Sequence, residues 1–470
     1  MISKRYRRIC LRGIAGILLL LLSASGRSVL AEESKLLKPA TVQPSGAGLL
    51  TGYPSEERDP GSPDLVEPGE ELTLARALAL ALLRSPDLAE YAWGIRAQEA
   101  RVLQAGLLPN PVLSALVENL GTGRDDITGG IQKTIQLGQL VELGGKRSAR
   151  RRVAARKLDL AEWAYEIERL NLLSRVSKSF IELLSKQRRV VLTEEIVRLT
   201  EKSAAAVSGR VAAGKVSPVE ETKANVALSS ARIGLDRSRR ELEASRRALS
   251  ESWGNPDPTF KSAVGDFDSI LPIPALEGLM ELFAQNPVLS LSAAEVSFRE
   301  AAVDLAKASR VPDLTVGAGV RRYEVSGEQT DAIVVGISLP LPLFDRKQGE
   351  IPAARSDLKR AAESRRATEV RLRVALAEGY QLLSSAYSEV TALRSTVLPG
   401  AQSAFDAVNE GYRLGRFGLL DVLDSQRTLF EARRQYLRAA EDYHKTVVDV
   451  ERLIGDRLDS TESTQDGDLP

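Results

Sequence analysis

The chain repeats itself at a spacing of 201 residues, and this duplication limits the fold more than any other feature of the sequence. Five matches stand in register: Pro86 with Pro287, Pro111 with Pro312, Gly214 with Gly415, Arg232 with Arg433, and Gly254 with Gly455. Two copies are too few for a solenoid, which needs about three repeats or more. We therefore predict two similar units inside one protomer, over residues 71–260 and 274–457.

Each half has the same predicted order of elements: a helix broken by proline, two extended segments, and two long helices joined by a glycine-containing turn. Residues 146–208 are 63 residues with neither Gly nor Pro. As a helix at ~1.5 Å per residue, this segment would extend about 95 Å. Residues 419–454 are a second such segment, of 36 residues. Their apolar, small and aromatic residues follow steps of three and four, which favours helices packed side by side, although an ordinary helical bundle shares this pattern.

Four short segments alternate apolar and polar residues, as β-strands do. They cover about residues 112–120, 131–141, 313–323 and 331–341. Each is about ten residues long, the length that a tilted strand needs to cross a bilayer. The predicted fold class is therefore α+β, mainly α, with four transmembrane β-strands in each protomer. Soluble hairpins lying on helices are the alternative that this pattern leaves open.

Geometry then requires a partner chain. Four strands cannot close a membrane barrel, because the smallest has about eight. An open strand edge in lipid would leave backbone groups unpaired, at several kcal/mol each. If the four segments cross the membrane, at least two chains share one barrel.

The first 31 residues have the pattern of a secretory signal peptide. A basic start precedes the apolar run Gly13–Ala24, and small residues favour cleavage after Ala31. That run is too short to span roughly 30 Å of hydrocarbon. Cys10 precedes it, so we expect no lipid attachment. Residues 32–70 hold six prolines and predict a linker, and residues 458–470 predict a disordered tail.

The composition excludes several classes of function. Lys and Arg number 64 against 63 Asp and Glu, so no basicity indicates nucleic acid. One Cys, one His and two Met predict no cofactor and no thiol- or imidazole-rich metal site. No GxSxG motif, phosphate loop or metal-ligand spacing is present, and a packed or solvated His444 is the simplest interpretation of the single imidazole. We expect no enzymatic activity.

Two paired motifs resemble the TolC-like outer-membrane factor family. They are QLVELGGKRSARRRVAARK at residues 139–157 and GISLPLPLFDRKQGEIPAARSDL at residues 336–358, the second being similar to the heavy-metal, CzcC-like branch. Residues 210–232 and 411–433 are similar to the two helical hairpin tips of that family. The resemblance covers about residues 72–457. It implies a homotrimer in outer-membrane lipid, whose 12-stranded barrel continues into a 12-helix periplasmic α-barrel.

The resemblance also implies partners and a docking site. Such a channel completes a tripartite pump with a periplasmic adaptor and an inner-membrane proton-driven transporter. The adaptor would dock on the two hairpin tips, about residues 209–218 and 411–419. The candidate docking residues are Arg210, Gly214, Lys215, Val216, Ser217, Tyr412, Leu414, Gly415, Phe417, Gly418 and Leu419. The alternative is a pair of helix hairpins that need glycine only to reverse direction.

Charged residues near the tips are gate candidates on the same resemblance. Asp406 matches an acidic position that, in the family, rings the closed periplasmic entrance; its repeat counterpart is Ala205. Three copies around a narrow axis would favour cations. Glu220 and Asp421 follow the two tips, and Arg413 lies nearby, where salt links would hold a closed state. A solvated helix face is the alternative for each.

The function predicted is a passive exit duct of an efflux pump. The resemblance to the heavy-metal branch implies that the substrates are cations such as cobalt, zinc, cadmium or copper. Drugs or other small solutes are the alternative substrates. A periplasmic coiled-coil adaptor or scaffold without a membrane barrel is the competing interpretation, because both would also use long helical hairpins.

Overall fold

The computed structural model describes residues 67–120, 130–325 and 328–458. The predicted signal peptide, most of the predicted linker, and all of the predicted tail beyond Leu458 lie outside the described residues. Both halves of the duplication lie within them, apart from two short gaps in the loops between paired strands.

The first half contains strands β1–β3 and helices α1–α4. They are β1 Glu71–Thr73, α1 Leu74–Arg84, α2 Pro86–Ala105, β2 Val112–Glu118, β3 Ile131–Val141, α3 Lys146–Ala212 and α4 Pro218–Glu251. Helix α3 continues through Gly209, four residues past the glycine-free segment. Ser85 separates α1 from α2. Its Oγ accepts the Leu88 N–H at 3.4 Å as the N-cap of α2, and Pro86 takes the first helical position.

The second half repeats this order, which confirms the internal duplication. Its elements are β4 Ser262–Val264, α5 Leu276–Leu282, α6 Pro287–Ala308, β5 Leu314–Val325, β6 Glu328–Ser338, α7 Glu350–Ala392, α8 Leu398–Arg413 and α9 Leu419–Ile454. A five-residue π-helical segment, Leu393–Val397, joins α7 to α8. Of the helices that the structure describes, none combines the length and the apolarity that crossing a bilayer requires.

Strands β2, β3, β5 and β6 form one antiparallel sheet in that order. The register places Ala115, Ile135, Val320 and Ile333 side by side on one face. Most of the apolar residues of this face are exposed, including Ile135 at 60% and Ile333 at 58%. The alternation in the sequence therefore predicted the two faces of the sheet correctly.

The opposite face carries most of the polar residues and the glycines of the sheet, together with Leu116, Leu140 and Val334. Gln136 lies over Gly317, where an added Cβ would clash with the Gln136 side chain, and an added Cβ at Gly319 would clash with the backbone of Ile135 and Gln136. Glycine in these strand positions therefore provides room for a polar side chain across the sheet. Among the described strands, each edge strand, β2 and β6, pairs with one neighbour.

The long helices lie in layers built from both halves. Near the sheet, α2, α3, α6 and α7 are neighbours in that order; farther away the order is α4, α3, α9 and then α7 or α8. Helix α3 thus contacts helices of both halves along its length. One core cluster packs Phe180 and Leu183 of α3 against Trp253 and Phe260, and a second packs Leu383 of α7 against α9.

A buried carboxylate begins the described chain. Glu67 accepts hydrogen bonds from Trp253 Nε1 at 3.2 Å, Asn255 Nδ2 at 2.6 Å, and the Thr259 and Phe260 backbone N–H groups at 2.7 and 3.4 Å. Burial acts to raise the pKa of Glu67, but these hydrogen bonds outweigh it and hold the pKa below its ordinary value. The chain therefore enters the fold before the predicted end of the linker.

Candidate functional site: the paired hairpin tips

The two helical hairpins end in turns of the same geometry. Gly214 and Gly415 have φ of 68° and 75°, the left-handed region that glycine adopts without a steric cost. The Lys215 N–H donates to the Arg210 carbonyl at 2.9 Å, and the Arg416 N–H donates to the Gly411 carbonyl at 2.8 Å. These bonds span the same positions in the two repeats and satisfy carbonyls at the ends of α3 and α8.

The helices that follow the two turns begin differently. Ser217 Oγ accepts the Val219 N–H at 3.3 Å at the start of α4. At the start of α9 the Gly418 N–H donates to Asp421 Oδ2 at 2.8 Å. The Asp421 carboxylate also lies at the positive end of the helix dipole. It therefore stabilises the start of α9.

The two tips contact each other and form one surface. The Arg210 guanidinium lies 4.9 Å from the centroid of the Tyr412 ring, a cation–π distance. Leu419 is buried in a small cluster with Ala204 and Val207 of the first hairpin. The structure thus brings the candidate docking residues of both repeats together at one end of the helical layer.

Apolar side chains are exposed on this surface. Leu414 is 61% exposed, and Phe417 is 45% exposed although its ring folds back onto Gly411. An added Cβ at Gly411 would lie 2.7 Å from Phe417 Cε2, so this glycine makes the ring position possible. Among the other candidates, Lys215, Gly415 and Gly418 are exposed and Val216 is half-buried.

A polar chain of contacts runs from Asp406 to the first hairpin. Both carboxylate oxygens of Asp406 accept from Gln402 Nε2, at 3.0 and 3.1 Å. Gln402 Oε1 accepts from Arg433 at 2.9 Å, and Arg433 forms an ion pair with Glu195 of α3 at 2.7 Å. Because Gln402 is neutral, it orients the Asp406 carboxylate without cancelling its charge.

The first repeat makes a simpler contact at the equivalent positions. Arg232, the counterpart of Arg433, pairs directly with Glu201 at 2.9 Å, and Glu201 is the counterpart of Gln402. In the second repeat the neutral Gln402 stands at this position, and the ionic partner of Arg433 is Glu195 of α3. The matched arginines were visible in the sequence, but nothing local indicated Gln402 or Glu195 as their partners.

The other charged gate candidates have local contacts. Arg413 donates to Glu410, one turn earlier on its own helix, at 3.3 Å, rather than pairing with Asp421 or Glu220. Exposed pairs of this kind contribute about 0–1 kcal/mol. Glu220 lies half-buried in the first turn of α4, where its N–H donates to the Ser217 carbonyl at 3.0 Å. The gate role of these residues and of Asp406 stays a prediction.

The single histidine lies away from the tips, on α9. His444 Nε2 is 3.0 Å from the Phe267 carbonyl, and its ring contacts Tyr443 and Phe267. Burial lowers its pKa, although Asp266 and Asp268 act in the opposite direction. Within the described ranges 67–120, 130–325 and 328–458, no three His, Cys, Asp or Glu side chains are grouped to hold a metal ion.

The duplicated hairpins and the strand sheet match a known family. The sequence model for "Outer membrane efflux protein" matches residues 77–255 and 279–456, one match for each half. The chain belongs to this family. It is an outer-membrane efflux channel component with a large periplasmic helical part, and the family predicted from the two motifs is confirmed.

Relatives within the outer membrane efflux family include metal-resistance proteins. The chain is 35% identical over 411 residues to the cobalt-zinc-cadmium resistance protein CzcC of Cupriavidus metallidurans, covering 87% of this chain and 94% of that protein. It is 27% identical over 326 residues to the nickel-cobalt-cadmium resistance protein NccC of Alcaligenes xylosoxydans xylosoxydans, covering 69% of this chain and 71% of that protein.

Solved structures share the fold at low sequence identity. The CmeC outer membrane channel of Campylobacter jejuni matches with a TM-score of 0.68 and 16% identity, over 89% of this chain and 95% of that chain. Crystal structures of CusC match with the same TM-score, 0.68, and 16% identity, over 82% and 92% of the two chains. This likeness confirms the predicted α+β, mainly α class with TolC-like architecture.

Proposed function

We propose that three copies of this chain form one outer-membrane exit duct for heavy-metal cations. The observation that carries the proposal is the sheet: one face is apolar and exposed, and both edge strands have an open side. Val335 and Ile337 of β6 are 71% and 72% exposed on that face. Burying such side chains in lipid is favourable by about 25 cal/mol per Å².

Pairing between copies would use the open edges. Neighbouring strands in the order β2, β3, β5, β6 are antiparallel, so β2 and β6 run in opposite directions. The β6 strand of one copy can therefore pair antiparallel with β2 of the next. Three copies give twelve strands, an even number above the minimum of about eight for a closed membrane barrel. Three is also the number that the resemblance to TolC-like outer-membrane factors implies.

The polar face of the sheet would line the duct. In the register of the sheet, Gln132, Thr134, Gln136 and Arg321 all lie on this face. The helical layers would continue the duct into the periplasm and end at the paired tips. We propose that a periplasmic adaptor docks on the exposed Leu414 and Phe417 there, and that the adaptor connects the duct to a proton-driven transporter.

Heavy-metal cations are proposed as substrate because CzcC and NccC carry metal resistance in their names. The duct itself would act passively and without catalysis. Of the soft ligands that remain after residue 31, Met280 packs against a core cluster and His444 is half-buried against Tyr443 and Phe267. No relay of such ligands therefore runs along the duct, and selection of the cation would belong to the transporter.

Complementation tests the substrate. A Cupriavidus metallidurans strain that lacks its own CzcC would receive this chain, and tolerance to cobalt, zinc and cadmium would be compared with tolerance to drugs. The expected result is restored metal tolerance. A matched variant, Phe417→Asp at the exposed tip, should reach the outer membrane in equal amount and restore less. Tolerance to drugs alone would contradict the metal proposal.

A soluble adaptor or scaffold is the competing function. In such a protein the apolar face of the four-stranded sheet would be exposed to water, where apolar patches of this kind promote association. Such a protein would be recovered from the periplasm without detergent.

A further inference from the structure

The junction between β3 and α3 docks on a segment from the other half of the chain. The Leu143 N–H donates to Asp313 Oδ1 at 3.1 Å, and Lys146 Nζ contacts the same oxygen at 2.7 Å. Gly144, with φ of 68°, lies so close to Val311 that an added Cβ would come within 2.7 Å of its side chain. Residues 143–146 are thus held against residues 308–313, the connection between α6 and β5.

The duplication produces both halves of this contact a second time. Adding 201 residues turns the junction 143–146 into 344–347, which connects β6 to α7. Subtracting 201 turns 308–313 into 107–112, which connects α2 to β2. The second connection is longer, residues 339–349 against 142–145, but it leaves the sheet at the same end and leads into the equivalent helix. It should therefore dock on 107–112 as the first docks on 308–313.

Within one chain this second contact cannot form. Strands β2 and β6 are the opposite edges of the four-stranded sheet, so three spacings of ~4.7 Å, about 14 Å, separate their ends. Both surfaces are exposed in consequence. Phe344 is 90% exposed and Leu341 70%, while Leu107 and Leu108 are 49% and 59% exposed.

We propose that residues 341–347 dock on residues 107–112 of the next copy of this chain. The proposal rests on the proposed homo-oligomer and specifies how its copies join. Phe344 takes the place of Leu143, and Leu108 the place of Ser309, so the contact between copies is more apolar than the one inside the chain.

Charge at the second junction agrees with an apolar partner. Asp313, which binds Lys146 inside the chain, has Val112 as its counterpart, and residues 107–112 contain no carboxylate that could pair with Lys347. Lys347 instead pairs within its own chain, with Glu350 at 2.8 Å and Asp345 at 3.6 Å. The basic group is therefore neutralised beside the exposed Phe344.

Disulfide cross-linking tests the contact in the full chain. The only native cysteine is Cys10, in the predicted signal peptide, so introduced thiols are the only ones in the mature protein. The variant Leu108→Cys with Phe344→Cys would be extracted from outer membranes, oxidised and run on a non-reducing gel. Bonding needs Cα atoms within about 7 Å, so covalent dimers and trimers are expected, and reduction should remove them.

The control pair is Leu108→Cys with Val374→Cys. Val374 is similarly exposed, at 51%, but lies 24 residues beyond Glu350 on α7, which is about 36 Å along the helix. It should give no ladder. A wild-type complex of several copies without a Leu108–Phe344 cross-link would overturn the proposed contact and leave the oligomer standing. A wild-type monomer in detergent would overturn the proposed function itself.

A second measurement separates a protein partner from lipid. Phe344→Ser should raise dissociation of the extracted complex about tenfold, the effect of losing one buried aromatic anchor, while Val374→Ser should not. If Phe344→Ser leaves the complex intact and instead reduces membrane insertion, Phe344 contacts lipid and the proposal is wrong.

Discussion

Replacing Arg433 by glutamine should loosen the second hairpin from the first. Arg433 contacts Gln402 at 2.9 Å and Glu195 at 2.7 Å, and its side chain is 30% exposed. A half-exposed ion pair is worth about 0.2–1 kcal/mol. A hydrogen bond to a charged group contributes about 1.5–3 kcal/mol when buried, and we discount it to about 1 kcal/mol here. The expected loss is about 1–2 kcal/mol, which shifts an equilibrium about 5- to 30-fold.

The assay is single-channel conductance of the purified protein in planar bilayers. If the periplasmic entrance is closed by these contacts, Arg433→Gln should increase both the mean conductance and the fraction of time spent open. Losing the guanidinium also frees the Gln402 amide, so Asp406 is no longer held in one orientation. Block of the current by divalent cations should therefore weaken in the same variant.

Arg232→Gln is the matched control. It removes the equivalent arginine from the first repeat, where the pair with Glu201 lies inside a single hairpin and the arginine is 62% exposed. Its conductance should stay close to that of the wild type. Equal effects of the two variants, or no effect of Arg433→Gln, would refute the view that Arg433 links the hairpins at the entrance.

Three further predictions concern other parts of the molecule. Glu67→Gln should lower the free energy of unfolding by about 1–3 kcal/mol, since it weakens a carboxylate held by four donors. The folded pKa of Glu67 is below its ordinary 4.5, so the wild type should exceed the variant in unfolding free energy by the full amount above pH 4.5 and by less as the pH falls. Equal melting temperatures of the two proteins at neutral pH would contradict this. Gly411→Ala should displace Phe417, cost about 1–3 kcal/mol and weaken adaptor capture, whereas Gly209→Ala, with open space around its Cβ position, should do neither in the same melting and pull-down assays. Arg321 and Glu118 lie 3.7 Å apart on the polar face of the sheet. Arg321→Gln should therefore raise the cation preference measured from reversal potentials, and Glu118→Gln should lower it. Shifts in the same direction would contradict the placement of these two opposite charges in the duct.

Local patterns predicted the elements of the fold well. The period-two alternation in the four strands predicted which residues share a face, because neighbouring side chains of a strand point to opposite sides. The spacing of 201 residues predicted the duplication that the family match and the element order confirm. Gly214 and Gly415 indicated the two turns, since both adopt positive φ.

Contacts between distant residues could not be predicted in this way. Glu67 lies in the segment predicted to be a proline-rich linker, yet its hydrogen-bond donors lie 186 to 193 residues farther along the chain. The Arg433–Glu195 pair joins residues 238 apart. Neither pairing leaves a periodic signal, because each depends on how the helical layer brings the two halves together.

The mass of the complex extracted from outer membranes tests the central claim most directly. The full chain would be expressed, the outer membrane separated and solubilised, and the particle mass determined with bound detergent subtracted. Three times the mass of the mature chain, recovered only with detergent, is the predicted result. A monomer released into the periplasm without detergent would contradict the shared duct.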